Sequence, residues 1–263
     1  MVLENRISLL ISTCDKFSDL WDANHYFLNL NWAKRNIDTF LVTDKETEKN
    51  YDDIKIVSTG DDDQMPTRIN KSLAEIKTPY VLLTLDDYFL IKNVDNNAIE
   101  EIINFMDTNN IDYCRLFPIN KEKKKYIKSN PYYYSINLKK EYAVNLYPGI
   151  WKTDFLKKTF SNDVNAWKYE VTLTKCAIDN NAKCIMYKPK VFEILDVVRK
   201  GKVLHKANKY LKRSNVSIGD RPIASWKTEI RYFIFGTFSH LFPNPIKKFV
   251  KKIMRKMGIE FYS

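Results

Sequence analysis

Three apolar runs in the N-terminal third of the chain, RISLLISTC, IDTFLVTD and PYVLLTLDD, each stop on hydroxyl or acidic residues. They are continuous rather than alternating, which suits strands buried on both faces of a sheet. Between the first two, Leu20, Trp21, Phe27 and Leu28 recur at helical spacing, with Ser18 placed to cap the helix. YDDIKIVSTG supplies a third, short strand. After the loop GDDDQMP, TRINKSLAEIK sets Ile69, Leu73 and Ile76 on one helix face. Strand, helix, strand, strand, helix, strand is a Rossmann-like order, which predicts an α/β fold with a mostly parallel central sheet flanked by helices.

In such sheets ligands bind beyond the carboxyl ends of the strands. Those ends carry Thr13-Cys14-Asp15, Thr43-Asp44 and Asp86-Asp87. Acids also cap turns after strands, and that explanation serves Asp44 and Asp15. It serves Asp86 and Asp87 less well, because apolar residues flank them on both sides. Two like charges between buried segments are costly unless something pairs with them. Adjacent carboxylates offer hard oxygen ligands to a divalent cation, which can bridge to a diphosphate. Arg68 and Lys71 lie one turn apart on the preceding helix, so they either reach phosphates together or stand as solvated helix charges.

Further along, NNAIEEIINFMDTNN reads as a helix and IDYCRLFP as a strand. NKEKKKYIKSNPYYYSIN is a basic, aromatic hairpin or loop. YAVNLYPGIWKTDFLKKTF carries a Pro-Gly turn and then a helix. DVNAWKYEVTLTKCAIDNN is an amphipathic helix with Trp167 and Glu170 in its first turns, and AKCIMYKPKVFEILDVVRKGKVL supplies one or two more strands.

Composition limits the alternatives. With 263 residues, 44% of them hydrophobic and 14% aromatic, the chain can bury a substantial core. Only 6 glycines argue against Gly-rich phosphate loops and low-complexity linkers. Cys14, Cys114, Cys176 and Cys184 form no C-x-x-C pair and do not cluster with the 3 histidines, so neither a zinc site nor a disulfide framework is expected. A reduced, cytoplasmic setting follows. MVLENRISLLIS is too short and too soon interrupted by an acid to be a secretory signal, and no apolar run reaches the ~20 residues that cross a bilayer.

The formal charge of +11 is concentrated at one end. Residues 199–263 hold 16 Lys/Arg against 3 acids, and the remainder holds 27 against 29. Within that end, Ile246, Phe249, Val250, Ile253, Met254 and Met257 fall at helical spacing. The positions between them are Lys247, Lys248, Lys251, Lys252, Arg255 and Lys256, and Pro245 sits where a helix can start. A helix with one apolar and one cationic face either lies in the interface of an anionic membrane or docks on its own domain with its lysines in water. Six cations without an acid exceed what solubility needs, which favours the membrane, with Phe249 and Ile253 in the acyl boundary. Two regions are expected: a catalytic domain over 1–205, divided near residue 95, and a basic helical extension over 206–263.

Taken together and in order, ISTCDKFSDLW, LVTD, TRINKSLAEIKTPYVLLTLDDYFL, YPGIWKTDFLKK and NAWKYEV resemble bacterial GT-A-type glycosyltransferases of capsule and lipopolysaccharide synthesis, across roughly residues 5–205. The resemblance implies sugar transfer from a nucleotide-diphosphate donor, a UDP-sugar, to a growing lipid-linked surface glycan. It further implies Mn²⁺ or Mg²⁺ held by Asp87 and Asp86, although relatives often place one residue between the two acids. Thr13 and Asp15 would line the nucleotide pocket, Asp44 would stand near the base or ribose, and Arg68 would face the diphosphate. An inverting mechanism needs a general base at the acceptor hydroxyl. Glu170 matches that role, with Asp163 as the alternative, while Trp151 and Trp167 would sit on the acceptor side. Taken by itself, Glu170 is also an ordinary first-turn helix acid, and Trp151 an ordinary core residue.

Two other functional classes compete. A pI near 9.2 and many aromatics suit a nucleic-acid-binding protein, but the charge is confined to the tail and the remainder is slightly acidic, which repels phosphate backbones. A nucleotidyltransferase of related fold would carry a Gly-rich loop after the first strand, and ISTCDKFSDLW has no glycine.

Overall fold

The computed structural model describes residues 3–61, 63–116, 130–160 and 164–230, and the backbone of 125–127. Asp163 and the whole basic tail beyond residue 230 lie outside the described residues. The chain divides into two compact units, Met1–Leu195 and a second that begins at Asp196.

In the first unit the order is β1 (Ile7–Ser12), α1 (Trp21–Asn31), β2 (Thr39–Thr43), β3 (Lys55–Ser58), α2 (Met65–Ser72), β4 (Tyr80–Leu85), β5 (Tyr88–Leu90), α3 (Asn96–Asn109) and β6 (Tyr113–Arg115). It continues through β7 (Lys125–Ile127), β8 (Asn130–Ser135), β9 (Gly149–Lys152), α4 (Thr153–Lys158), α5 (Ala166–Asp179), β10 (Cys184–Tyr187) and β11 (Ile194–Asp196). One nine-stranded sheet runs β3-β2-β1-β4-β9-β6-β10-β8-β7. β3, β2, β1 and β4 are mutually parallel. β9 is antiparallel to both β4 and β6, and β10 is again parallel to β6. At the basic, aromatic stretch, read as a hairpin or loop, β7 and β8 pair antiparallel.

The apolar runs are continuous because the sheet is covered twice. Leu9, Ile11, Leu41 and Leu82 face a cluster that includes Trp21 and Leu28 of α1 and Ile99, Ile102 and Met106 of α3. Leu10, Val42, Val81 and Leu83 face a second cluster with Met65 and Ile69 of α2, Phe155 of α4 and Leu173 of α5. Alternate residues of each strand therefore serve opposite cores.

Several local details differ from the sequence pattern. α1 begins after a 3₁₀ turn, Asp15–Leu20, and has no side-chain cap; Ser18 lies inside that turn, where its carbonyl accepts from the Trp21 N–H. α2 stops at Ser72, short of the predicted Lys77, as the chain turns into β4. Between the Pro-Gly turn and the helix expected there, GIWK forms β9, the strand that joins the two halves of the sheet. Its four residues open on a glycine, a poor strand former, so periodicity alone conceals it. Tertiary contact explains the glycine. A Cβ at Gly149 would lie 2.7 Å from Tyr113 Cε2, and the Tyr113 ring is itself buried against Trp151 at a centroid distance of 4.3 Å.

The second unit begins with β12 (Val198–Arg199), β13 (Lys202–Val203) and α6 (His205–Arg213). No helix among the described residues is long and apolar enough to cross a membrane.

Replacing Gly149 by Ala should cost about 1–3 kcal/mol through overpacking. Urea denaturation would register this as a lower midpoint with an unchanged slope.

Candidate functional site

The carboxyl ends of β1, β2 and β4 meet at one edge of the sheet. Asp86 and Asp87 form the turn between β4 and β5. The Asp86 N–H continues the β1–β4 ladder by donating to the Ser12 carbonyl at 3.4 Å. Asp86 is only 7% exposed, and a carboxylate so buried needs donors. Thr13 supplies one: its hydroxyl donates to Asp86 Oδ2 at 2.5 Å and in turn accepts from Trp21 Nε1 at 2.8 Å. Asn24 Nδ2 of α1 donates to the Asp86 carbonyl at 2.9 Å. Asp87 is more open than Asp86.

The β1 and β2 ends are tied together by the Asp15 N–H, which donates to Asp44 Oδ1 at 2.7 Å. Partial burial pushes the Asp44 carboxyl up, but the Asp15 N–H, its own backbone, Arg68 and the Thr43 hydroxyl outweigh this and hold it below the ordinary range. Cys14 sits in the midst of these groups. Burial, and after it the Asp86 charge, pushes the Cys14 thiol up to about 11, against the pull of Arg68. Asp86 and Asp44 thus raise the Cys14 thiol while Arg68 lowers it.

Arg68 and Lys71 have local partners as well. Arg68 donates to the Asp63 carbonyl, while Lys71 pairs with the Asp63 carboxylate at 2.7 Å and donates to the Thr59 carbonyl at 2.9 Å. Both hold the loop from Thr59 to Gln64, which passes through Gly60 at φ +126°, a backbone angle suited to glycine. Arg68 is buried, yet its Nε has no hydrogen-bond partner. Its guanidinium therefore keeps donor capacity beside Asp44 and Cys14.

Glu170 lies on α5, whose N-cap is Asn165, and accepts from the Leu146 N–H at 3.2 Å. Burial pushes its carboxyl above the ordinary range, with that N–H opposing. The neighbouring residue in the loop, Tyr147, stacks on Tyr88 with centroids 5.8 Å apart and planes at 13°. Tyr88 follows Asp87 directly, and α5 packs against α2. The Glu170 loop and the aspartate turn are thus joined by an aromatic stack.

Two of the predicted roles change. Thr13 is 3% exposed, so its side chain anchors Asp86 instead of lining a pocket. Trp151 is fully buried between Tyr113 and Phe155; it belongs to the core and presents no surface to an acceptor. Trp167, by contrast, is 48% exposed. Sequence inspection missed Trp21, Asn24 and Tyr147. Asn24 and Tyr147 act through partners far along the chain, and Trp21, although near Thr13 in sequence, shows locally only as an apolar helix residue.

No protein-family model and no curated protein matches the chain. Solved structures do. A structure of residues 1–349 of S. aureus TarS in complex with UDP-GlcNAc aligns with TM-score 0.51 and 16% identity, over 75% of this chain and 60% of that one. A further S. aureus TarS structure aligns with TM-score 0.50 and 14% identity, over 71% of this chain and 36% of that one. The chain thus spans less than two thirds of either. The likeness is one of fold: a GT-A-like α/β architecture with a large, mostly parallel sheet flanked by helices.

Thr13→Val should cost about 1–3 kcal/mol in unfolding free energy, because it strands both the buried Asp86 oxygen and the Trp21 N–H. Thr13→Ser, which keeps the hydroxyl, should stay within about 1 kcal/mol of the parent. Equal losses in the two variants on denaturant titration would contradict the anchoring role.

Proposed function

We propose that the chain is a glycosyltransferase that moves a sugar from a nucleotide-diphosphate donor to a glycan acceptor. The observation that carries this is the pair of strand-end acids at the carboxyl edge of the parallel strands, Asp86 anchored by Thr13 and Asp44 tied to the Asp15 N–H, where sheets of this kind bind nucleotides. The fold shared with TarS, one of whose structures holds UDP-GlcNAc, supports a UDP-linked donor.

The residues present suit a divalent cation of a particular kind. Among the described residues no three His, Cys, Asp or Glu gather into a ligand set. Two adjacent carboxylates fit Mg²⁺ or Mn²⁺ that takes its remaining ligands from diphosphate oxygens and water. When bound there, such an ion would neutralise charge on the leaving diphosphate. In this proposal Asp87 is the principal holder, and Asp86, oriented by Thr13, is the second. Arg68 offers its unused Nε–H toward phosphate oxygens, and Asp15 and Asp44 border the nucleoside. Glu170 takes the proton from the acceptor hydroxyl as that oxygen attacks the anomeric carbon, giving inversion. Its buried setting raises its basicity toward the range a general base needs. The exposed Trp167 ring borders the acceptor.

The acceptor, on this proposal, is a lipid-linked surface glycan of the capsule or lipopolysaccharide kind. On the same proposal the cationic, amphipathic segment at 246–257 brings the enzyme to the cytoplasmic face of the cell membrane as a peripheral protein.

Purified protein presented with a panel of nucleotide sugars should bind at least one of them and release its nucleotide on transfer, with EDTA lowering the transfer rate. Absence of binding across a broad panel would overturn the proposal. Glu170→Gln should lower turnover by about 10²–10⁴-fold with donor affinity unchanged. Because the base works deprotonated and burial raises its pKa, activity should fall as pH drops through a limb lying above the ordinary carboxylate range. A parent pH profile lacking that limb would remove Glu170 from the role. Separately, deleting residues 241–263 should weaken co-sedimentation with anionic liposomes and leave donor binding intact; unchanged co-sedimentation would overturn the role of the tail.

A further inference from the structure

The second unit carries exposed apolar side chains well before the cationic tail. Ile223, Trp226 and Ile230 are 47%, 65% and 54% exposed, three large apolar residues within one short segment. Single exposed hydrophobes need no explanation, but a contiguous group does. Trp226 and Ile230 are four residues apart in a helical stretch that begins at Trp226, so they share one face.

The segment is held firmly. The Val203 N–H donates to the Pro222 carbonyl and the Ala224 N–H to the Val203 carbonyl, tying it to β13. Ser225 caps the helical turn, its hydroxyl accepting from the Thr228 N–H at 3.3 Å. Glu229 accepts from the His205 backbone N–H at 2.6 Å and faces His205 Nδ1 at 2.9 Å. The His205 ring stacks on Trp226 with centroids 3.9 Å apart. The indole is thus oriented in advance, with one side against histidine and the remainder outward.

Charge indicates what such a surface meets. Residues 196–230 hold nine Lys/Arg and three acids. Two of those acids are engaged within the unit, Asp196 with Arg199 and Glu229 with His205. Lys202, Lys206, Lys209, Lys212 and Arg213 are exposed. A rigidly held tryptophan and isoleucines among surplus cations match the boundary of an anionic bilayer, where indole rings settle at headgroup depth and lysines meet lipid phosphates.

We propose that the 223–230 segment of the second unit is a membrane-docking face, with Trp226 inserted at the headgroup level of an anionic bilayer. It extends the peripheral-membrane proposal to a second contact, formed by residues other than those of the tail at 246–257.

The test uses the full chain and vesicles of anionic phosphatidylglycerol or neutral phosphatidylcholine, each doped with brominated lipid to quench tryptophan fluorescence. The chain has 5 tryptophans; Trp21, Trp32 and Trp151 are buried, and Trp226 and Trp167 are exposed. Quenching should appear with anionic vesicles, be weak with neutral ones and fall with added salt. Trp226→Phe, which keeps an aromatic ring against His205, should remove most of the quenching, whereas Trp167→Phe should not. Trp226→Ser with Ile230→Ser should weaken anionic-vesicle binding at least about fivefold.

Sedimentation with vesicles but undiminished quenching in Trp226→Phe would overturn the docking face and leave the tail proposal standing. Quenching by Trp226 that survives deletion of 241–263 would support the docking face as a contact separate from the tail. A change in oligomeric state in Trp226→Phe, without any change in quenching, would overturn the proposal in favour of self-association.

Discussion

A carboxylate almost wholly removed from water at the end of a sheet strand has to be met by donors, and much of the N-terminal half is arranged to meet Asp86. The Trp21 indole donates to the Thr13 hydroxyl, and that hydroxyl donates to the carboxylate. Asn24 holds the carbonyl of the same residue. A hydrogen bond to a charged group contributes about 1.5–3 kcal/mol, comparable to what fully burying a large apolar side chain contributes. The chain of donors therefore also constrains the packing of α1 on the sheet. β1, β4 and the start of α1 cannot move independently without breaking it.

That constraint places chemistry at one edge. The four parallel strands are covered on both faces by helices, so their ends are where backbone and polar side chains can meet a ligand. Asp15 and Asp44 are cross-linked there through a backbone N–H, and Arg68 stands against them from α2. β9 then continues the sheet antiparallel to β4, which brings the Leu146–Tyr147 loop and with it Glu170 toward the same turn. In the proposed sugar transfer, Glu170 and the aspartate turn are the two groups that would serve as general base and diphosphate site.

Much of the fold was legible because a strand buried on both faces needs a continuous apolar run, and Ile7–Ser12, Thr39–Thr43 and Tyr80–Leu85 each carry one. Short elements were not. β9 has only four residues and starts with glycine, and α1 begins from a 3₁₀ turn without a capping side chain. The candidate site was partly legible for the same kind of reason. Acids that end apolar runs stand out locally, so Asp15, Asp44, Asp86 and Asp87 were visible. Thr13 was visible as a residue but not in its role, since its partner Asp86 is 73 positions away.

Sequence alone determined the alternation of strands and helices, the positions of the strand-end acids and the concentration of positive charge beyond residue 199, because each is a property of neighbouring residues. Tertiary structure decided which of those side chains anchor the site and which face outward. Trp151 and Trp167 look alike on paper, yet β9 buries one between Tyr113 and Phe155 while α5 leaves the other half exposed. Burial depends on what the rest of the chain lays over a residue, and hydrogen-bond partners on which distant residue arrives beside it. Neither is encoded in the local pattern.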